Sequence, residues 1–504
     1  MYPNGQLATS YYRVERGYEQ RENRNFDKRG TPGMGGASKR ISASVVSGLL
    51  LPFDVAVLAA GALLAFALHL TDDPYADWTS YGLVVGFGVL LAVNIFQMSG
   101  LYDAKILQRP KQTYQRVIVG WFAVAATLIT ISFFAKTSDD YSRIWAMLWF
   151  GFGLMGLLGL RAIFFARAAR WAATGRLQNN LAILGTGPFA ARLAQYFAAN
   201  AASGIQVAGM FSENNRIPKG ERAVRAQTIE DLIARVRRDH IDTVVIAIPK
   251  LTRRRLHHIM ESLRDVPVDV RVCPNSLTLD LTSNSISHVA GLPLLNAIDR
   301  PLTNWRSATK EIEDRILASI ILVLISPVLL AIAALIKIDS PGPALFRQKR
   351  YGYNNQLITV FKFRTMRIDQ QDDAAGQLTQ RNDPRITRIG AFLRRTSLDE
   401  LPQFLNVLRG EMSIVGPRPH AISAKAGGVL YHDAVSHYAA RHRVKPGITG
   451  WAQINGWRGT TDTVDQIEKR VEHDLYYIEH WSLWLDLKII ALTIFKGFSG
   501  QNAY

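Results

Sequence analysis

A chain of 504 residues has room for several domains, and a 48% hydrophobic share with 10 Trp and 22 Phe excludes wholesale disorder while suiting membrane spans beside globular parts. The formal net charge of +18 predicts attraction to something anionic, whether nucleic acid, a membrane surface or a phosphorylated substrate. The single cysteine, Cys273, excludes an intrachain disulfide and a multi-cysteine zinc site, suits a reducing compartment, and reads as a small buried apolar residue.

Residues 1–41 are rich in Gly, Arg, Asn and Glu and hold no apolar run, so they are expected to form a disordered cytoplasmic tail rather than a signal peptide. Residues 42–170 then read as a bundle of four transmembrane helices. Apolar stretches recur at about 43–70, 81–101, 115–135 and 144–166, each near the ~20 residues that cross a hydrocarbon core. The connection 71–80 holds Asp72, Asp73 and Asp77 without Lys or Arg, whereas 102–116 holds Lys105, Arg109, Lys111 and Arg116. The positive-inside rule places the second connection in the cytoplasm. The basic tail (Arg21, Arg24, Lys28, Arg29, Lys39, Arg40) and the basic exit of the fourth helix (Arg161, Arg167, Arg170, Arg176) agree, so both ends of the bundle are expected to face the cytoplasm.

From 179 to 275 short β-branched runs alternate with helical stretches, as in LAILG at 181–185 and DTVVIAI at 242–248, which predicts a small Rossmann-like α/β domain. Its first run leads into Gly185-Thr186-Gly187-Pro188-Phe189-Ala190, the strand–turn–helix setting of a dinucleotide fingerprint with Ala in place of the third Gly. Glu213 stands where a ribose-binding acid would, yet an acid at a strand end is common. We read this turn as structural and expect no cofactor-binding residues there. The Tyr-x-x-x-Lys pair of short-chain dehydrogenases and epimerases is absent from the chain. Arg253, Arg254, Arg255, His257 and His258 read as a solvated helix face.

Residues 316–338, ILASIILVLISPVLLAIAALIKI, are long enough to span a bilayer. Basic residues flank both ends, with Lys310 and Arg315 before and Lys337, Arg347, Lys349 and Arg350 after, so neither side favours export. Pro327 removes a backbone donor at mid-helix, and the hydroxyl of Ser326 is placed to satisfy a freed carbonyl. A re-entrant helix is therefore expected, breaking at Ser326-Pro327 and returning to the cytoplasmic side. A kinked fifth span is the alternative, and it would put everything after 339 outside.

A rigid turn, Ser340-Pro341-Gly342-Pro343, follows. Cations, glycines and prolines then crowd into FRQKRYG at 346–352, FKFRTMR at 361–367, FLRRTSLDELPQFLNVLRGEMSIVGPRP at 392–419 and RHRVKPGITGWAQINGWRG at 441–459. Such a mixture suits several phosphates on a rigid scaffold. Asp399-Glu400 is the adjacent carboxylate pair embedded in this stretch. A diphosphate substrate calls for a divalent cation, usually Mg²⁺ held by one or two carboxylates plus phosphate oxygens, while a second carboxylate is free to act as a nucleophile. His432, His437 and His442 are five apart and read as non-ligands.

In these residues the run from about 305 to 504 resembles the bacterial sugar transferases, the polyisoprenyl-phosphate hexose-1-phosphate transferases of the large monotopic phosphoglycosyl transferase class. The resemblance rests on the Ser326-Pro327 break and on SPGP, KFRTM, RTSLDELPQ, SIVGPRP, KPGITGWAQINGWRG and RVEHDLYYIEHWSLWLDLKII, in that order. The segment ITGWAQINGWRG and the ending TIFKGF…AY look most like the undecaprenyl-phosphate glucose-1-phosphate transferases of exopolysaccharide synthesis, including the colanic-acid type. The resemblance implies a multi-pass protein of the bacterial inner membrane with its catalytic α/β domain (305–504) on the cytoplasmic face. It implies UDP-glucose, undecaprenyl phosphate and membrane lipid as partners, Mg²⁺ as cofactor and no nucleic acid, and leaves a homodimer open. Carried over by motif position, Asp399 is the nucleophile that expels UMP and Glu400 assists metal binding. Lys362, Arg364 and Arg394 hold phosphates, and Arg418, within Pro417-Arg418-Pro419, helps hold the uridine part. One departure is Lys310-Glu311, where the family usually shows a Lys-Arg pair ahead of the Asp that starts the membrane helix, here Asp314. UDP-galactose or another UDP-hexose is the rival substrate. A membrane-anchored NAD-dependent nucleotide-sugar enzyme and a non-enzymatic polysaccharide assembly protein are the rivals of other classes.

Overall fold

The computed structural model describes residues 42–71, 77–103, 106, 109–138, 140–174, 176–177, 179–200, 204–213, 228–239, 241–249, 251–274, 286–367, 383–420, 425–426, 429–435, 437–457 and 463–497. The expected tail at 1–41 lies outside them, as do Asp72, Asp73 and Lys105.

A short helix α1 (Ala43–Gly48) leads into α2 (Leu50–His69), and α3 (Trp78–Met98), α4 (Pro110–Phe134) and α5 (Arg143–Ala173) complete a bundle. Local chemistry sets the starts: the Asp77 carboxylate accepts the Thr79 and Ser80 N–H groups at 3.1 Å, Pro110 opens α4, and the Ser142 hydroxyl accepts the Trp145 N–H at 3.3 Å. Leu58, Phe96, Val117, Trp121, Trp149 and Leu157 fill the interior. The outer faces remain apolar, with Leu68, Leu83, Phe133 and Met147 exposed, a distribution suited to lipid rather than water. Among the described residues, five helices are long and apolar enough to cross a membrane, these four and Asn304–Asp339. Arg161 departs from its expected place in a basic exit. It is fully buried and paired with Asp54, to which Nη2 donates at 2.8 Å, and the Tyr102 hydroxyl donates to the same carboxylate at 3.1 Å. It pins α5 to α2 instead of marking the cytoplasmic face.

The α/β domain follows as β1 (Asn179–Leu184), α6 (Pro188–Ala199), β2 (Ile205–Phe211), α7 (Ile229–Asp239), β3 (Thr243–Ile246), α8 (Arg253–Leu263), β4 (Asp269–Val272), β5 (Ile286–Val289) and β6 (Leu292–Ile298). These strands form one sheet in the order β2-β1-β3-β4-β6-β5, parallel through β4 and antiparallel beyond it. The sheet thus takes in two strands past the boundary expected at 275. Cys273 is buried against it. Gly185 is required by close approach, because a Cβ there would stand 2.3 Å from the Ala247 carbonyl oxygen.

The last body is built on α9 (Asn304–Asp339), followed by the hairpin β7 (Leu345–Tyr351) and β8 (Leu357–Phe363), whose turn places Asn354 and Asn355 at positive φ. Then come α10 (Arg388–Thr396), α11 (Gln403–Arg409), β9 (Ser413–Val415), β10 (Gly447–Thr449), α12 (Trp451–Ile454), α13 (Val464–Glu479) and α14 (Leu483–Gly497). Strands β9 and β10 pair in parallel. Asn406 ties α11 to β8, accepting the Phe361 N–H at 2.9 Å and donating to the Thr359 carbonyl at 2.7 Å. Within α9 the Ser326 hydroxyl donates to the Val323 carbonyl at 2.8 Å, the carbonyl that Pro327 leaves without its N–H partner.

Lys310-Glu311 does not weaken the start of α9. The Lys310 ammonium reaches both Asp314 and Asp486 at 2.8 Å, while Glu311 pairs outward with Arg315 at 2.5 Å. Asp314 also accepts the Ser413 hydroxyl at 3.0 Å and the Ile414 N–H at 2.9 Å, and Asp486 accepts from Tyr477 and Trp481 at 2.8 and 2.9 Å. The bodies touch at named points. Ser42 donates to Asn304 at 2.7 Å, Trp305 lies against Gly48, Asn354 donates to the Val236 carbonyl at 3.1 Å, and His437 meets Glu261 at 2.9 Å. Lys310→Met leaves two buried carboxylates without their cation and is expected to lower stability by about 3–5 kcal/mol. A thermal unfolding midpoint in detergent equal to the wild type's would contradict this account of the corner.

Candidate active site

Helix α10 carries the carboxylates toward the hairpin. Thr387 caps it, accepting the Gly390 N–H at 3.0 Å, and Gly390 is pressed onto the backbone of Thr365, whose oxygen would lie 2.1 Å from any added Cβ. Ser397 takes the left-handed conformation at the C-cap, with φ at 58°, and turns the chain into the single turn Leu398–Glu400. Asp399 and Glu400 therefore project beside β8. On that strand Lys362 donates to Glu400 Oε1 at 2.8 Å.

The Pro417-Arg418-Pro419 turn closes the site from the other side. It leaves β9 through Gly416, where backbones meet too closely for side chains: a Cβ on Gly416 would lie 2.6 Å from the Lys445 oxygen, and one on Gly450 would lie 2.3 Å from the Gly416 oxygen. Arg418 then forks onto Glu400, at 2.6 Å to Oε1 and 2.9 Å to Oε2. Its own carbonyl is held by Arg441 at 2.8 Å, and Arg441 is in turn paired with Asp474 at 2.6 Å. His420 sits in the same buried layer, 2.6 Å from the Tyr438 hydroxyl and 3.1 Å from Arg470.

The two neighbouring carboxylates are pushed apart electrostatically. Burial alone would raise Glu400, but Arg418 and Lys362 override it and hold this carboxyl well below its usual range. Asp399 accepts no hydrogen bond from any described residue, and burial raises it above an ordinary Asp although Lys362, Arg394 and Arg418 oppose that shift. Glu400 is a fixed charge. Asp399 is an uncapped, more basic carboxylate, the better nucleophile of the two. Burial also lowers Lys362 and Arg394, and it drives His420 far below the ordinary histidine value with Arg441 and Arg470 adding to the effect, so His420 is neutral.

Among the described residues no three metal-ligating side chains gather. Both Asp399 oxygens lack a described donor, and Glu400 Oε2 receives a single guanidinium N–H, so the pair offers the one or two carboxylate ligands Mg²⁺ takes before phosphate oxygens complete its shell.

Lys362, Arg418, Asp399 and Glu400 thus meet, with Arg394 nearby, its Nε donating to Thr365 at 3.0 Å. Arg364, expected to hold a phosphate, does not join them. It is buried, donates to the Ser340 carbonyl at 2.7 Å and to those of Ile336 and Pro341, and closes the end of α9 rather than facing the carboxylates. His437 and His442 bond to Glu261 and Asn355, while the His432 side chain lies outside the described residues. Sequence reasoning missed Arg350, although pairing of β7 with β8 puts it on the Lys362 face with Gln348. On the α/β domain an open cavity of about 470 Å³ lies away from these carboxylates, lined by residues including Glu213, Arg254 and His258. Arg255 closes onto Glu213, so the acid that stands at a ribose-binding position is paired with a neighbouring side chain.

Residues 305–500 match the family described as bacterial sugar transferase, and 97–274 match one described as a CoA-binding domain. The chain is 38% identical to the UDP-glucose:undecaprenyl-phosphate glucose-1-phosphate transferase of Escherichia coli (strain K12) over 419 residues, 82% of this chain and 89% of that protein. It is 37% identical to the transferase of the same name from Klebsiella pneumoniae over 468 residues, 92% of this chain and 97% of the relative. With the undecaprenyl-phosphate glucose phosphotransferase of Komagataeibacter xylinus it shares 44% identity over 334 residues, 66% of this chain and 61% of the relative.

The raised Asp399 gives a pH prediction. Protonation neutralises this carboxylate, so if its charge is needed for turnover, the rate should fall on acidification at a higher pH than the ~3.9 of a free Asp would set. Lys362 opposes that rise, so Lys362→Met should move the acid limb of kcat/KM to still higher pH. A limb that stays put or moves down would contradict the assignment.

Proposed function

The chain belongs to the bacterial sugar transferase family and transfers glucose-1-phosphate from UDP-glucose to undecaprenyl phosphate, and we propose that it does so through a covalent intermediate on Asp399. The observation that carries this reading is the split between the two carboxylates, one clasped by Lys362 and Arg418, the other open. An Asp399 oxygen attacks the phosphorus bonded to glucose, and the bond from that phosphorus to the bridging oxygen breaks. UMP departs with the electron pair. A phosphate oxygen of undecaprenyl phosphate then attacks the same phosphorus and releases Asp399, giving undecaprenyl diphosphate glucose.

Lys362, Arg394 and Arg418 stand around this path to hold phosphate oxygens, and Glu400 keeps Lys362 and Arg418 in register. Glu400, with Asp399 beside it, would hold Mg²⁺, and the ion would supply charge neutralisation at the diphosphate. The parallel part of the α/β sheet suits a Rossmann-like domain whose Gly185 turn is structural, because tight backbone contact with Ala247 accounts for the glycine.

We also assign α9 as re-entrant and the catalytic body to the cytoplasmic face of the inner membrane. Both ends of the apolar segment are fastened to the same body: Asp314 to the Ile414 N–H at 2.9 Å, and the Ile336 carbonyl to Arg364 at 3.4 Å. The helix runs without interruption through Pro327, and in a spanning orientation those anchors, ~33 Å apart along a straight helix, would lie on opposite sides of the ~30 Å hydrocarbon core, which one body cannot reach.

Asp399→Asn should reduce turnover at least ~100-fold while leaving membrane insertion intact, and Glu400→Gln should be severely impaired. Initial rates with both substrates varied should follow ping-pong kinetics. Near wild-type turnover by Asp399→Asn, or UMP release that requires lipid, would favour direct attack by the lipid phosphate. Single cysteines at 310 and 345, with Cys273 replaced, should be labelled only from the cytoplasmic side. Labelling of position 345 from outside would establish a fifth span.

A further inference from the structure

We propose that Arg350 binds the phosphate of the departing UMP, an inference that rests on the two-step reading above. Arg350 projects from β7 on the face that carries Lys362. Its Nε and Nη2 donate to Gln348 Oε1 at 3.1 and 2.8 Å, and Nη1 donates to the Pro419 carbonyl. None of these partners carries a charge, and no described carboxylate lies within ion-pair distance of it. Burial first, then the neighbouring Arg418, push this guanidinium down to about 10, while Glu400 and Asp399 pull the other way. A half-buried cation held in place by neutral acceptors and repelled by another cation is unfavourable until an anion joins it.

The charge balance of the site says which anion. Arg350, Lys362, Arg394 and Arg418 face Asp399 and Glu400, and Glu400 is already engaged by Lys362 and Arg418. When the bond from the glucose-bearing phosphorus to the bridging oxygen breaks, the electron pair stays on that oxygen, on the nucleotide side, and UMP becomes a phosphate monoester of charge near −2 at neutral pH. Charge accumulates there in the transition state, and a fixed guanidinium beside it stabilises that change without reorganising. Position selects this side of the reaction. Arg350 is tied to the carbonyl of Pro419, the residue after Arg418, and among the described residues makes no hydrogen bond to the turn that carries Asp399. The attacking carboxylate and the leaving oxygen must lie on opposite sides of the phosphorus, so a cation fastened to the Pro417-Arg418-Pro419 loop rather than to the Asp399 turn suits the leaving group.

The test uses the full-length enzyme in detergent, with UMP itself as the probe. Arg350→Gln keeps hydrogen-bonding capacity and removes the charge. It should raise the UMP inhibition constant ~10-fold or more and raise the KM for UDP-glucose, while the KM for undecaprenyl phosphate changes by no more than about twofold. Arg350→Lys retains charge without the fork and should fall between the two; it also serves as the test if the Gln variant does not fold. Unchanged UMP inhibition in these variants would overturn the proposal. So would equal weakening toward both substrates, which is what a simple brace between β7 and Pro419 would give. Wild-type exchange of labelled UMP into UDP-glucose without lipid, read alongside, separates the two failures: its absence counts against the covalent reading, whereas its presence with unaffected variants counts against Arg350 alone.

Discussion

The clasp of Lys362 and Arg418 on Glu400 is the interaction on which the rest of the catalytic body depends. Three segments far apart in the chain meet at one carboxylate: strand β8, the turn after α10, and the Pro417-Arg418-Pro419 loop. The clasp makes neighbouring acids unlike. Glu400, with two cations on it, stays ionised whatever the burial, while Asp399 has no donor on it and keeps the higher proton affinity. An open, more basic carboxylate and a fixed one are thereby obtained from adjacent residues.

Around that clasp the molecule is a set of supports. Asn406 joins α11 to β8, Gly416 and Gly450 let two loops cross at backbone contact, and Arg441 holds the Arg418 carbonyl from behind while Asp474 neutralises it. The α/β domain touches the same support. His437, bonded to Glu261 and Asp265 of that domain, immediately precedes the turn that carries Tyr438 and Arg441. The membrane helix α9 forms the floor, fastened at one end by Asp314 and Lys310 and at the other by Arg364. Polar anchors at both ends hold this apolar rod against the catalytic body.

Much of this was legible in the sequence because its signals are local. Four apolar stretches of spanning length, the β-branched runs of the α/β domain, the Ser326-Pro327 pair and the Asp399-Glu400 step each announce themselves within a few residues. What was not legible depends on where a long side chain goes after folding. Arg364, beside Lys362 in a basic motif, turns to the end of α9, and Arg161, inside helix α5, turns inward to Asp54. Lys310 needs no basic neighbour, because Asp486, more than 170 positions away, supplies its second partner. Arg350 lay inside a run recognised as basic, and only the alternation of β7 separates it from Arg347 and Lys349. Sequence spacing says which residue types are near; the pleat and the caps decide which of them face the carboxylates.

The two-step reaction stands or falls on whether Asp399 carries the sugar phosphate. Purified enzyme incubated with UDP-glucose and Mg²⁺ but no lipid, quenched in acid and weighed intact, should gain one hexose phosphate per chain, located by fragmentation on the peptide containing Asp399, with one equivalent of UMP released. An unmodified wild-type mass under conditions that give full turnover once lipid is added, or the adduct found on another residue, would contradict it.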